Sequence, residues 1–308
     1  MRRLSAIAAT TALTLAAAPA FANCDSVRFS DVGWTDITAT TAVATTILNA
    51  LGYETEVLVL SVPVTYTSMA NNDIDVFLGN WMPTMEADIA PYRDAGTVDT
   101  VRRNLAGAKY TLAANAAAAG LGISDFADIA DHADALQNRI YGIEPGNDGN
   151  RLILDMIEAD AFGLGGFQVV ESSEQGMLAQ VQRSERRDEP MIFLGWEPHP
   201  MNANFEMTYL AGGDDWFGPD FGGAEVYTNT RAGFVEECAN VGQFLQNLEF
   251  TLELENEIMG AILDEGTEPG AAATAWLSAN TGVLAPWLEG VTTRDGGDAM
   301  EAVSAALN

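Results

Sequence analysis

The chain has 308 residues and a formal net charge of -30, from 14 Lys and Arg residues against 44 Asp and Glu residues. This charge argues against nucleic acid and anionic membrane surfaces as partners, because both repel a strongly acidic protein. It indicates mainly a solvated acidic surface suited to a salty medium, and such a surface can also attract a cationic ligand.

The N-terminus has the pattern of an export signal. Two arginines precede a mostly apolar run over residues 4–18, and residues 20–22 (Ala-Phe-Ala) form a small-x-small cleavage site. We therefore expect residues 1–22 to be a cleaved secretory signal. A lipid anchor on Cys24 is the alternative, although Asn23 stands where a small residue normally precedes such a cysteine.

Strand and helix signals alternate through the first part of the chain. Strand-like runs rich in β-branched residues alternate with helical runs that end at a glycine or begin with a proline. In chain order, the predicted elements are a strand over 26–32, a helix over 40–50, a strand over 56–62, a helix over 63–70 and a strand over 73–78. This order predicts a mostly parallel sheet with helices on its faces.

A second unit with the same alternation is predicted after Tyr110. Its predicted elements are strands over 139–143, 167–171 and 191–194 and helices over 151–159 and 174–183. The chain from residue 234 onward is predicted to be mainly helical. Because the chain is too long for one small core, we expect two lobes.

Three tryptophans stand where a strand-like run meets a glycine: Trp34, Trp81 and Trp196. Ligands of parallel sheets bind beyond the carboxyl ends of the strands, so three rings at such positions predict the mouth of a cleft. An aromatic box of this kind binds quaternary ammonium ions through cation–π contacts. Any one of these rings could instead belong to the core. The other tryptophans lack this setting and are interpreted as packing residues: Trp216, Trp276 and Trp287.

Two polar residues are candidates for the same site. Asp36 follows Trp34 by two residues and could face the charge of a cationic ligand, or cap the helix predicted to follow. Asn147 could be a plain turn residue, or it could hydrogen-bond a ligand hydroxyl at a helix N-terminus. The sequence leaves both alternatives open.

An enzyme is a less favoured alternative. The sequence has no Gly-x-Ser-x-Gly elbow and no phosphate-binding glycine loop with a lysine. His132 and His199 lie far apart and show no metal-ligand spacing with the two cysteines, so we expect no metal and no cofactor. After export, Cys24 and Cys238 are expected to form a disulfide, with two free thiols as the alternative.

Together these motifs resemble those of the substrate-binding proteins of ABC importers for quaternary amines, the glycine betaine family. The resemblance covers essentially the whole chain after the expected leader, and its motifs are specific when taken jointly. The matching segments are Gly33-Trp34-Thr35-Asp36, Phe77-Leu78-Gly79-Asn80-Trp81-Met82-Pro83, Lys109-Tyr110, Glu144-Pro145-Gly146-Asn147 and Leu194-Gly195-Trp196-Glu197-Pro198-His199.

The resemblance implies an α/β fold of the type II periplasmic binding protein class. Each lobe would be a mainly parallel sheet flanked by helices, with the ligand in the cleft between the lobes. We expect residues 23–111 and 209–308 to form the first lobe, the latter part mainly helical, and residues 112–208 to form the second. A periplasmic location, an ABC permease of the inner membrane as partner and a monomeric state are expected as well.

The resemblance also implies roles for individual residues. In members of the family that bind choline, four positions form the box around the trimethylammonium group, and they match Trp34, Trp81, Tyr110 and Trp196. The position matching Asp36 complements the charge, and the position matching Asn147 hydrogen-bonds the hydroxyl end of the ligand. A disulfide matching Cys24 and Cys238 belongs to the same pattern.

Chemistry ranks choline first among the ligands. Lys109 is the only basic residue beside the predicted box, and Asp36 would repel the carboxylate of glycine betaine if it points inward. Choline meets no such conflict. Acetylcholine, glycine betaine and dimethylsulfoniopropionate are the alternatives, and a secreted enzyme acting on choline esters is a more distant one.

Overall fold

The structure, a computed structural model, describes residues 24–308, so the leader expected over residues 1–22 lies outside the described residues. Its strands, in chain order, are β1 (Ser26–Asp31), β2 (Glu54–Val59), β3 (Val76–Met82), β4 (Val98–Asn115), β5 (Arg139–Tyr141), β6 (Gln168–Val170), β7 (Ile192–Glu197), β8 (Met207–Tyr209) and β9 (Gly223–Arg231).

The α-helices of the described residues surround these strands. In chain order they are α1 (Thr35–Ala50), α2 (Val62–Ala70), α3 (Glu86–Asp94), α4 (Ala116–Gly120), α5 (Asp148–Glu158), α6 (Glu174–Arg187), α7 (Met201–Asn204), α8 (Asp214–Phe217), α9 (Pro219–Gly222), α10 (Phe234–Glu237), α11 (Ala239–Asn247), α12 (Leu252–Leu263), α13 (Pro269–Ala279), α14 (Leu284–Trp287) and α15 (Ala299–Ala306). Within residues 24–308, none of the helices is long and apolar enough to cross a membrane.

The strands form a single nine-stranded sheet in the order β2-β1-β3-β9-β4-β7-β5-β6, with β8 paired to β4 beside this path. The predicted strands pair in parallel: β1 with β2 and β3, and β5 with β6 and β7. Strands β4, β8 and β9 were not predicted, and they add antiparallel pairs to the sheet. The sheet is therefore mixed.

Strand β4 joins the two lobes of the fold. Its first part pairs with β9 from Val98 to Lys109, and its last part pairs with β7 from Lys109 to Ala114. We call the half of the sheet with β1, β2, β3 and β9 the first lobe, and the half with β5, β6 and β7 the second lobe. The pairing partner of β4 changes at Lys109, directly before Tyr110.

Helix α1 is the central helix of the first lobe. Twelve of its 16 residues are buried, which is typical of a helix covered on every side. It packs against α12 and α13, whose Leu254, Ile258 and Leu277 are buried. The helical last third of the chain therefore covers the first lobe.

Helix α1 begins at Thr35, five residues earlier than predicted. Gly33 adopts a left-handed backbone with φ of +82°, which turns the chain from β1 directly into the helix. Asp36 thus lies inside the first turn of α1. The interpretation of Asp36 as a cap of a later helix was wrong.

The two cysteines are joined. Cys24 and Cys238 form a disulfide with 5.6 Å between their Cα atoms, across a sequence separation of 214 residues. The bond fastens Cys24, two residues before β1, to Cys238, directly after α10. This confirms the expected pairing over two free thiols.

Candidate ligand-binding site

A cavity with about 260 Å³ of atom-free space lies between the lobes, next to the point where β4 changes its partner. It is lined by Trp34, Asp36, Trp81, Tyr110, Ile143, Asn147, Asp148 and Trp196. All six predicted site residues therefore come together, and the sequence analysis missed Ile143 and Asp148.

The three tryptophans reach the cavity from the ends of three strands, but they do not hold equivalent positions in those strands. Trp34 follows β1, as predicted, whereas Trp81 and Trp196 lie inside β3 and β7, one residue before the strand ends. The expectation that all three rings lie beyond the strands was wrong for these two. The glycines near them allow close packing: a Cβ on Gly79 would lie 2.7 Å from Ile37, and one on Gly195 would lie 2.9 Å from Met207.

The rings of the cavity stand at steep angles to one another. The centroids of Trp81 and Tyr110 lie 6.1 Å apart at an interplanar angle of 62°, and those of Tyr110 and Trp196 lie 6.2 Å apart at 82°. All three side chains are buried. Rings in different planes present faces and edges on several sides of one space, which suits a compact cation.

Asp36 is a buried carboxylate that is only partly satisfied. Trp81 Nε1 donates a hydrogen bond to Asp36 Oδ2 over 3.1 Å, while Oδ1 has no hydrogen-bond partner among residues 24–308. Burial, and then the charge of Glu174, raises the pKa of Asp36 to about 8. Because an unpaired buried charge is costly, this carboxylate favours a cation in the cavity.

Asn147 and Tyr110 are held together at the start of α5. Asn147 Oδ1 caps the helix by accepting a hydrogen bond from Asn150 N over 3.0 Å, and it accepts a second one from Tyr110 Oη over 2.9 Å. Gly149 makes this possible, because a Cβ at that position would overlap Tyr110 Oη. Asn147 is thus the N-cap of α5, a role that the sequence analysis did not predict, and its contact with a ligand stays a prediction.

Asp148 is the second carboxylate of the cavity. Its side chain is buried, and its Oδ1 accepts a hydrogen bond from Asn147 Nδ2 over 3.1 Å. Oδ2 has no hydrogen-bond partner in the described chain. Burial, and then the charge of Asp88, raises the pKa of Asp148 to about 7. Acidic residues are common in the first turn of helices, so the sequence carried no signal of this role.

Positive side chains stay out of the cavity. Lys109 lies 3.6 Å from Glu197 and 5.9 Å from the centroid of the Tyr209 ring. Among the residues that the structure describes, no lysine, arginine or histidine lines the cavity. The described range also contains no group of three or more His, Cys, Asp or Glu residues that could hold a metal ion. The site therefore combines aromatic surface with negative charge.

Hydrogen-bonded pairs join the two lobes around the cavity. They link Trp34 with Glu144 (2.8 Å), Thr35 with Glu174 (2.8 Å) and Arg151 with Asp88 (2.7 Å). In each pair, one partner lies on the first-lobe side of the cleft and the other lies in the second lobe. The cleft is therefore closed in this structure.

The family model for the substrate binding domain of ABC-type glycine betaine transport systems matches residues 25–279 of this chain. A curated relative is the glycine betaine/carnitine transport binding protein GbuC of Listeria monocytogenes serotype 1/2a (strain 10403S). It is 32% identical over 133 residues, which are 42% of this chain and 42% of that protein.

Two solved structures are more similar. An ABC-transporter choline binding protein in complex with choline is 70% identical, with a TM-score of 0.92, over 92% of this chain and 99% of that chain. An ABC-transporter choline binding protein in an unliganded semi-closed conformation has the same identity and coverage and a TM-score of 0.86. This structure is thus more similar to the liganded one, in agreement with its closed cleft.

The family match spans most of the chain, and the fold and the closed cleft agree with it. The fold is the two-lobed one of periplasmic binding proteins. The chain therefore belongs to the family of substrate-binding domains of ABC-type glycine betaine transport systems, and its function is substrate binding for an ABC importer.

Proposed function

We propose that this protein captures choline in the cleft between its lobes and delivers it to the importer. One observation carries the proposal: the closed cavity combines four aromatic residues with two buried carboxylates and is lined by no basic side chain of the described chain. The 70% identical structure that contains choline supports the same ligand.

The trimethylammonium end of choline would lie among the rings of Trp34, Trp81, Tyr110 and Trp196. This group has no hydrogen to donate, so ring faces and a nearby anion are the partners that can hold it. A desolvated cation–π contact is worth about 2 kcal/mol or more. Three or four such contacts, with the charge of Asp36, are enough for micromolar affinity, about -8 kcal/mol.

The hydroxyl end of choline would lie at the start of α5. Asn147 Oδ1 already accepts two hydrogen bonds, whereas Asp148 Oδ2 is buried and accepts none from the described residues. The ligand hydroxyl would therefore donate to Asp148 Oδ2, with Asn147 beside it. This assignment adds Asp148 to the predicted site.

The same carboxylates would oppose a zwitterion. The carboxylate of glycine betaine would enter a space that holds Asp36 and Asp148 and no lysine or arginine of residues 24–308. Repulsion between like charges in a buried site costs more than in water. Choline is therefore favoured over glycine betaine, although the family is named for the latter.

The biological setting is part of the proposal. The leader over residues 1–22 would export the protein to the periplasm, where it would act as a monomer and hand its ligand to an ABC permease of the inner membrane. The lobes would comprise residues 23–111 with 209–308, and residues 112–208. The ligand would be released chemically unchanged, so the protein would not be an enzyme.

Isothermal titration calorimetry tests this function. Choline, acetylcholine, glycine betaine and dimethylsulfoniopropionate would be titrated separately into the purified protein. We expect saturable binding of choline at micromolar affinity or better and weaker binding of glycine betaine. Absence of binding with every quaternary or sulfonium cation would contradict the proposal, and tighter binding of a zwitterion would overturn the choice of choline.

A further inference from the structure

The first turn of α1 is capped by a residue of the other lobe. Trp34 precedes the helix, and an indole has no acceptor with which to bind the free amide groups of a helix start. Instead, Thr35 N donates a hydrogen bond to Glu174 Oε2 over 2.8 Å, and Thr35 Oγ1 donates to Glu174 Oε1. Glu174 is the first residue of α6 and lies 139 positions away in the sequence.

The same carboxylate of Glu174 also contacts the loop that follows β7, the strand that carries Trp196. His199 Nδ1 accepts a hydrogen bond from Met201 N over 2.9 Å, so the ring hydrogen is on Nε2, which lies 3.3 Å from Glu174 Oε1. The His199 ring packs edge-on against Trp196, with 4.9 Å between the centroids. Glu174 therefore lies between the turn that carries Trp34 and Asp36 and the loop that follows Trp196.

We propose that Glu174 is a positioning residue of the binding site: it caps α1 across the cleft and so fixes the first-lobe part of the box against Trp196. This role rests on the proposed function of the cavity. When the lobes separate, the two hydrogen bonds to Thr35 are lost, and the start of α1 is left to water. Closure of the two lobes and correct placement of the aromatic box would thus occur together.

The charge of Glu174 explains why the ligand would strengthen closure. A carboxylate at a helix N-terminus is favourable, but this one repels its neighbours. It contributes to the raised pKa values of Asp31, Asp36 and Glu144, behind the larger effect of burial. A cation in the cavity offsets this repulsion, so the bonds to Thr35 would be strongest when the ligand is bound.

Binding kinetics test the role. Stopped-flow tryptophan fluorescence with choline would be measured for wild type, Glu174→Ala, Thr35→Val, the double variant and Thr35→Ser. We expect Glu174→Ala to raise the dissociation rate roughly tenfold or more, about 1.4 kcal/mol, and to change the association rate less than threefold. Thr35→Ser keeps the hydroxyl donor and should retain most of the wild-type rate.

The double variant separates a direct bond from a general loss of stability. If the two side chains act through their mutual hydrogen bond, the double variant loses less binding free energy than the sum of the losses in Thr35→Val and Glu174→Ala. Gln175→Ala is the matched control, because Gln175 is the next residue of α6 and is exposed. Unchanged dissociation in Glu174→Ala, or purely additive effects, would overturn the proposal.

A second readout does not depend on choline. Small-angle scattering of the unliganded proteins should show a larger radius of gyration for Glu174→Ala than for wild type and Gln175→Ala. If wild type binds no quaternary amine but this difference persists, the proposed ligand is wrong and the capping role stands. An equal radius together with unchanged dissociation contradicts the role. Should Glu174→Ala fail to fold, Thr35→Val, which removes one bond only, decides the question by the same measurements.

Discussion

Trp81 Nε1 donates a hydrogen bond to Asp36 Oδ2 over 3.1 Å, so an aromatic wall of the cavity also holds the carboxylate beside it. The bond leaves Asp36 Oδ1 without a partner among the described residues. A neutral amide at this position would keep the shape of the site and remove its charge. The Asp36→Asn variant therefore separates charge from packing.

We expect Asp36→Asn to weaken choline binding by roughly tenfold or more, about 1.4 kcal/mol. The rings would still hold the cation, but the nearby negative charge would be lost. Calorimetry gives the affinity, and the fluorescence spectrum checks that Trp81 keeps its environment. The idea fails if choline binds equally well to the variant.

The pKa values of the two cavity carboxylates predict an unusual pH dependence. Burial raises the pKa of Asp36 to about 8 and that of Asp148 to about 7, far above their usual value of 3.8. Between pH 4 and 8 the folded protein thus holds more protons than the unfolded chain. The contribution of the two carboxyl groups to the free energy of unfolding is therefore full below about pH 4, falls as the pH rises, and is lost once the pH passes the folded pKa values of about 7 and 8.

Thermal unfolding of the unliganded protein between pH 5 and 8.5 measures this contribution. The destabilisation of wild type relative to Asp36→Asn should grow with pH. Choline favours the ionised carboxylates, so its affinity should rise up to about pH 8, with release of protons near neutral pH. Calorimetry in buffers of different ionisation enthalpy detects that release, and uptake of protons would contradict the assignment.

Trp196→Ala removes one ring from the box. The loss of a desolvated cation–π contact, about 2 kcal/mol, should weaken choline binding by more than tenfold. Trp276→Ala is the control, because Trp276 lies outside the cavity lining and binds Glu257 through its Nε1. Equal affinity of wild type and Trp196→Ala would remove this ring from the site.

Gly149→Ala tests the placement of Tyr110. The added Cβ would overlap Tyr110 Oη and also approach Leu194, so the ring must move away from Asn147. We expect at least tenfold weaker binding of choline. Gly260→Ala in α12 is the matched control, since a Cβ there meets no atom within 4 Å. In a helix, that change should raise stability by about 0.5–1 kcal/mol and leave affinity unchanged.

Removal of the disulfide should affect stability without affecting the site. Cys24→Ala/Cys238→Ala frees the chain before β1, and loss of a native disulfide typically costs about 2–5 kcal/mol. Neither cysteine lines the cavity, so choline affinity should stay within about twofold of wild type. Denaturant unfolding of the variant, compared with wild type that keeps the disulfide, measures the loss, and an unchanged midpoint would contradict it.

The local sequence pattern was enough to predict the strands and helices that follow one another in the chain. The alternation of strands and helices before Leu78 and the rings of Trp34, Trp81 and Trp196 follow from residue types and spacing. Strand β4 was not predicted because its register shifts several times against β9, and Arg102 and Arg103 interrupt the apolar pattern. Strand β9 begins at a glycine and finds its partners more than 100 residues away, which no local signal reveals.

The site, too, combines residues that the sequence could predict with contacts that only the tertiary fold creates. The sequence motifs and the family resemblance together named six residues, and the structure brings all of them to one cavity. Asp148 could not be singled out, since it is one of 44 acidic residues and its burial follows only from the tertiary fold. The contact between Thr35 and Glu174 joins residues of different lobes, and neither residue is distinguished by its local sequence.

Strand β4 runs through both lobes without interruption, and Tyr110 lies one residue beyond the position at which its neighbour changes. Tyr110 is the cross-strand partner of Trp196 in β7, so these two side chains would stay together when the cleft opens. Interactions that are equal in two conformations cannot shift the balance between them. Tyr110 and Trp196 would therefore add to the strength of binding in the open and closed forms alike, whereas Trp34 and Trp81, on the first lobe, would supply the preference of the ligand for the closed form.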